Sequence, residues 1–163
     1  MSRQPQQRAG ILTREECRQI NDKVQRLSRA EGCEVNLFSN RTGNTRFAAN
    51  QLSTSGGVED AQLAVQSSFG PKHAVVTSND LSDASLERVV RQSETLARLA
   101  PDDPEAMPPL PPQQYVAVNA YFESTANLTP EARARAALTA LDETRRAGDL
   151  TAAGFIVSGQ GCQ

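Results

Sequence analysis

The 163-residue sequence is poor in the side chains that most enzymes use for chemistry. It holds one histidine, His73, three cysteines, no tryptophan and only 4% aromatic residues. A lone histidine excludes an all-histidine metal site and leaves little room for a Ser-His-Asp triad, because a catalytic zinc takes three protein ligands, commonly two or three of them histidine. Cys17, Cys33 and Cys162 show no CxxC spacing, and an odd count excludes complete pairing within the chain. Cys17 falls on the apolar face of a helix and Cys33 begins a strand, so both read as small buried hydrophobes. No spacing supports a zinc cage of Cys17, Cys33, His73 and Cys162. Neither a P-loop nor a GxGxxG is present. No apolar run approaches the roughly 20 residues of a bilayer span, and the opening MSRQPQQRAG lacks the apolar core of a signal peptide. The balance of 17 Lys and Arg against 19 Asp and Glu, net −2, argues against a chain built to grip phosphate backbones. These absences lead us to expect a cytoplasmic protein with no membrane or nucleic-acid partner and no catalytic, metal or cofactor site of its own.

What is present reads as an α+β domain. Thr13 and Glu16 form a capping box, and Cys17, Ile20, Val24 and Leu27 make one apolar stripe, predicting a helix over 11–32 with Gly32 as its C′ residue. From Cys33 the period changes to 2, giving a strand over Cys33–Phe38. Asn40-Arg41-Thr42-Gly43 is rich in turn formers, so a second strand is expected from Asn44 to Asn50. A turn or bulge at Gly56-Gly57, a third strand over 58–69, a turn at Gly70-Pro71 and a fourth strand over 73–77 complete an antiparallel meander.

Ser82 or Asp83 caps a second helix over 83–100, with Leu86, Val89, Val90, Leu96 and Ala97 buried and Glu87–Arg91 and Glu94–Arg98 spaced as ion pairs. Residues 101–114 hold six of the nine prolines and read as a stiff spacer rather than as a PxxP ligand, since no basic residue flanks Pro108 and Pro111. Tyr115–Val118 is weakly strand-like. Thr129-Pro130-Glu131 starts a third helix that runs to Ala147 with Ala134, Leu138 and Leu141 inward, and a last strand spans Ala152–Val157. The expected organisation is a polar tail over 1–10, an α+β domain over 11–100, the spacer over 101–114, and a helix and strand over 115–163. Three helices should pack on one side of the meander. A strand so close to Gln163 suggests that a carboxyl-terminal domain follows.

Several stretches together resemble the amino-terminal part of the TldD/PmbA family of metallopeptidase-related proteins, once described as modulators of DNA gyrase. They are Glu34-Val35-Asn36-Leu37, Gly43-Asn44-Thr45-Arg46-Phe47-Ala48, Leu52-Ser53-Thr54-Ser55-Gly56, Thr77-Ser78-Asn79-Asp80-Leu81, Leu99-Ala100-Pro101 with Pro104-Glu105, and Leu150-Thr151-Ala152-Ala153-Gly154-Phe155. The resemblance implies a longer parent in which a carboxyl-terminal region carries an HExxxH zinc motif and a distant cysteine, and in which two subunits enclose a chamber for unfolded peptides. None of that motif occurs here, so zinc belongs to the full-length parent and no catalytic residue is carried over. The chain would wall the chamber and contact a second TldD/PmbA-type subunit, as part of a peptidase or of its non-catalytic partner. An extended peptide could add to a free strand edge; the short polar segment with Asn44, Arg46, Ala48 and Asn50 is the candidate edge. The alternative is a free-standing, non-enzymatic binding or scaffold protein.

Overall fold

A computed structural model describes residues 11–108 and 110–163; the polar tail expected over 1–10 lies outside them. The described elements are α1 (Arg14–Leu27), β1 (Gly32–Ala48), β2 (Gln51–Phe69), β3 (Lys72–Ser78), α2 (Asp83–Leu99), α3 (Glu123–Ala126), α4 (Pro130–Ala147) and β4 (Gly154–Cys162). The strands form an antiparallel sheet in the order β3-β2-β1-β4 with helices packed alongside, so the chain is α+β as expected, with four helices in place of three. Packing divides the chain into two units. Among the described residues, the first holds those through Ser39, Asp60–Ala117 and Cys162–Gln163; the second holds Asn40–Glu59 and Val118–Gly161.

The first unit is organised by an aliphatic core. Thr13 Oγ1 accepts the Glu16 N–H at 3.3 Å while Glu16 Oε2 accepts the Thr13 N–H at 2.8 Å, closing the capping box that starts α1. The helix stops at Leu27, with Ser28 extended at φ −67°, and Gly32 opens β1 instead of closing the helix. Val24 of α1 packs with Leu37, Leu63 and Val65 of the sheet and Leu86, Val89 and Val90 of α2. Burying such side chains stabilises by about 1.5–3 kcal/mol each. Leu96 was expected inward but is 42% exposed; the buried stripe of α2 continues through Ser93 and Ala97. Ser93 meets Ser67 of β2 through a buried hydroxyl pair at 2.8 Å.

Buried Glu94 ties α2 to the end of α1. It accepts the backbone N–H of Arg29 and, at 2.8 Å, Nη1 of Arg91, whose Nη2 donates to the Leu27 carbonyl at 2.8 Å. Arg91 thus pairs with Glu94 rather than with Glu87, and the Arg98 guanidinium lies 3.9 Å from the centre of the Phe69 ring. β2 and β3 pair antiparallel from Leu63↔Ser78 to Phe69↔Lys72, across a turn in which Gly70 takes φ +56°.

The strand boundaries depart from expectation. Residues 40–43 form no turn, because β1 runs unbroken from Gly32 to Ala48; Gly56-Gly57 likewise lies inside β2. The hairpin turn falls instead at Ala49 and Asn50, with φ of 49° and 60°. Two positive values are what a two-residue hairpin with a type I′ turn requires.

In the second unit Asn50 holds that turn in place. Its Nδ2 donates to the Leu150 carbonyl at 2.9 Å, its Oδ1 accepts the Ala152 N–H at 2.8 Å, and its carbonyl accepts Nη2 of Arg145 at 3.0 Å. α4 begins as expected, with Thr129 Oγ1 accepting the Ala132 N–H at 3.2 Å and Pro130 in the first turn. Its inward face is rotated from the expected one. Arg133, Ala137 and Leu141 are buried, whereas Leu138 is 42% exposed. Tyr115–Val118 forms no strand, the short helix α3 was not foreseen, and the last strand begins at Gly154 and reaches Cys162.

Candidate functional site

The expected free edge is not where the sheet ends. Asn44, Arg46 and Ala48 lie on β1, which is flanked by β2 and β4, and Asn50 is in the hairpin turn. An interior strand has its main-chain groups committed to two neighbours, so the sheet cannot be extended there. Side chains add to this. Ser55 Oγ donates to the Asn44 carbonyl at 3.1 Å and Ser53 Oγ to the Arg46 carbonyl at 3.2 Å, while the Arg46 guanidinium sits 5.8 Å from the centre of the Phe155 ring.

The second unit instead contains a cavity of about 590 Å³, lined by β1, β2, β4 and the segment entering α4. Among the described residues its charged lining consists of Arg41, Glu59 and Arg133, and its glycines are Gly43, Gly57 and Gly159. Arg133 reaches it from the first turns of α4 and is only 4% exposed. Its Nη1 donates to the Leu128 carbonyl at 3.0 Å and to Ser158 Oγ at 3.1 Å, while its buried Nε has no hydrogen-bond partner. Among the described residues no carboxylate lies within ion-pair distance of it. A side chain at position 43 would place its Cβ 2.5–2.6 Å from three atoms of this guanidinium. Glycine there permits the planar group to lie against the strand backbone.

Arg41 is more open. Its Nη2 donates to the Ala126 carbonyl at 3.1 Å, and its Nη1 is 3.9 Å from Glu59 Oε1. The N-terminus of α4 is satisfied from within the chain. Thr129 accepts the Ala132 N–H, and the Glu131 carboxyl is held below the usual carboxylate range first by its own backbone N–H and then by the Thr129 hydroxyl. The positive charge at this cavity therefore comes from the two guanidinium groups rather than from the helix end. A smaller cavity of about 350 Å³, bordered by Tyr121, Phe122 and Gln160, has no charged side chain in its lining.

Sequence reasoning did not single out Arg41, Glu59, Arg133 or Ser158. The available signal is Gly43, two positions from Arg41, since a glycine inside a strand marks a close approach as well as a break. The residues singled out as chemical donors do not assemble a zinc site. His73 Nδ1 lies 3.8 Å from Asp103 Oδ2. Cys17 Sγ is 3.8 Å from Cys162 Sγ, which donates to the Leu12 carbonyl at 3.3 Å. Burial, and then the neighbouring Cys162, push the Cys17 thiol up; burial outweighs the Ser28 hydrogen bond in raising that of Cys33. A zinc ligand must instead be a thiolate. Among the described residues no three His, Cys, Asp or Glu side chains gather as a metal would need. No helix of the described residues is long and apolar enough to cross a membrane.

An antiparallel sheet with α1 and α2 in one unit, and α4 with the cavity at its start in the other, defines an α+β fold shared with known structures. No family model and no curated sequence matches the chain. Solved structures do. TldE from Thermococcus kodakarensis superposes with a TM-score of 0.74 at 10% identity, covering 89% of this chain and 33% of that one. A candidate modulator of DNA gyrase from Bacteroides thetaiotaomicron gives 0.75 at 12% identity, covering 93% and 36%. A second such protein, from Thermotoga maritima, gives 0.65 at 12% identity, covering 88% and 38%. The chain therefore has the fold of these proteins and spans about a third of their length. They carry the names of the family that the sequence resembles.

Proposed function

We propose that this chain acts as the amino-terminal domain of a TldD/PmbA-like peptidase or of its non-catalytic partner, walling a chamber for unfolded peptide and contacting a second subunit. The observation that supports this reading most is the match of 88–93% of the chain to one portion of longer TldE and gyrase-modulator structures. A single histidine leaves no place for an HExxxH motif in the sequence, so on this reading hydrolysis and its zinc reside in other residues of the parent. Modulation of gyrase is not carried over, given the net charge of −2.

The test is the complete reading frame, expressed as one protein and assayed by sedimentation and by cleavage of unfolded casein. The expected result is a dimer or larger assembly that cleaves with chelator sensitivity, or does so once a TldD/PmbA-type subunit is added. A strictly monomeric protein that neither cleaves nor associates would overturn the reading. One observation favours the alternative, a free-standing binding protein: every described residue that lines the larger cavity belongs to the second unit. Ligand binding by the 163-residue chain together with a reading frame that ends at Gln163 would select it.

A further inference from the structure

We propose that the cavity of the second unit is a binding site for a carboxylate monoanion, held between Arg41 and Arg133. The inference does not depend on the peptidase reading, because every residue it uses lies in one unit of this chain.

The argument starts from Arg133. Taking a guanidinium out of water costs several kcal/mol unless its charge and its donors are matched. Here, among the described residues, a side chain that is 4% exposed is matched by neutral acceptors alone, the Leu128 carbonyl and Ser158 Oγ, and its Nε has none. Buried arginine normally pairs with an anion through two parallel N–H···O bonds. Among the described residues none supplies such an anion, and the group borders the open space of the cavity. Gly43 lets the guanidinium lie on β1, and Gly57 and Gly159 are part of the same lining.

Charge selects the ligand. Arg41 and Arg133 contribute two positive charges to the lining and Glu59 one negative, leaving a net of one positive charge. A monoanion neutralises that field, whereas a phosphate dianion overshoots it beside Glu59. The planar carboxylate also matches the planar fork of arginine. At about 590 Å³ the cavity is within the range of small-ligand sites. Both a free organic acid and the carboxyl end of a peptide offer this chemistry.

The experiment is a titration of the ¹⁵N-labelled 163-residue chain at low salt with four probes: propionate, acetyl-Ala-Ala with a free carboxyl end, its carboxamide, and inorganic phosphate. Propionate and the dipeptide acid should shift the backbone signals of Gly43, Gly57 and Ser158, while the carboxamide leaves them unmoved. Equal affinities would identify a free-acid site; a tighter dipeptide acid would identify a peptide end, and either outcome supports the proposal. Arg41→Gln should weaken binding about tenfold, and Glu59→Gln should strengthen it several-fold. The two variants carry opposite expectations, so general destabilisation cannot mimic the pattern. Should Arg133→Lys fail to fold, the Arg41 and Glu59 variants still decide the matter. Acid and carboxamide binding alike, phosphate alone binding, no shift at these residues, or both variants moving in the same direction would overturn the proposal.

Discussion

The two units bury opposite kinds of interior. In the first, Val24, Leu63, Val65, Leu86 and Val90 meet in an aliphatic core, and its buried ion, Glu94, is matched by Arg91 and a backbone N–H. In the second, the buried side chains of the sheet and α4 include Thr45, Arg133, Ala137 and Leu141, and among the described residues the buried ion has only neutral partners. A fully satisfied interior stabilises; one left short of an anion is poised to take one. The first unit therefore reads as scaffold and the second as a site.

The largest effect should come from the scaffold. Leu63→Ala removes a fully buried side chain and should lower stability by about 2–5 kcal/mol, measured by urea denaturation; a loss as small as that of a surface change would break the contrast. Next comes Glu94→Gln, which should cost about 1–3 kcal/mol by unpairing Arg91. Burial pushes the Glu94 carboxyl up, but the Arg29 N–H and Arg91 outweigh it and hold the group below its usual 4.5. The contribution is therefore present above pH 4.5 and is lost as pH falls through the lower folded value. The stability gap between wild type and variant should close in that acid window and stay constant above it.

Arg133→Met in the second unit should behave differently, leaving stability unchanged or raising it by about 1 kcal/mol while abolishing carboxylate binding. A loss comparable to that of Glu94→Gln would mean that the arginine is structural and would erase the contrast. The smallest effect is expected at Ala49, whose φ of +49° disfavours a side chain; Ala49→Gly should stabilise the hairpin by about 0.5–1 kcal/mol on thermal unfolding.

The scaffold was far more legible in the sequence than the site. The capping box at Thr13, the Ser82 cap and the Thr129-Pro130 start of α4 are local signals, and each element begins where its cap says. Asn40-Arg41-Thr42-Gly43 and Gly56-Gly57 read as turn or bulge signals because glycine usually marks a break, whereas Gly43 makes room for the Arg133 guanidinium beside β1 and Gly56-Gly57 lie within β2. The only backbone that needs two positive φ values fell on Ala49 and Asn50, which carry no strong turn signature. Periodicity then assigned α4 the stripe Ala134–Leu138, since no pattern of hydrophobicity places an arginine inward. That one-residue rotation hid the cavity. A buried cation with neutral partners is a tertiary fact, and composition cannot report it.

The central claim is most directly tested by the Arg133 side chain itself. In ¹⁵N NMR its Nε–H should give a resolved, slowly exchanging signal that moves on addition of acetyl-Ala-Ala and stays fixed with the carboxamide. An Arg133 signal that exchanges as freely as those of surface arginines, or that ignores both compounds, would contradict the account.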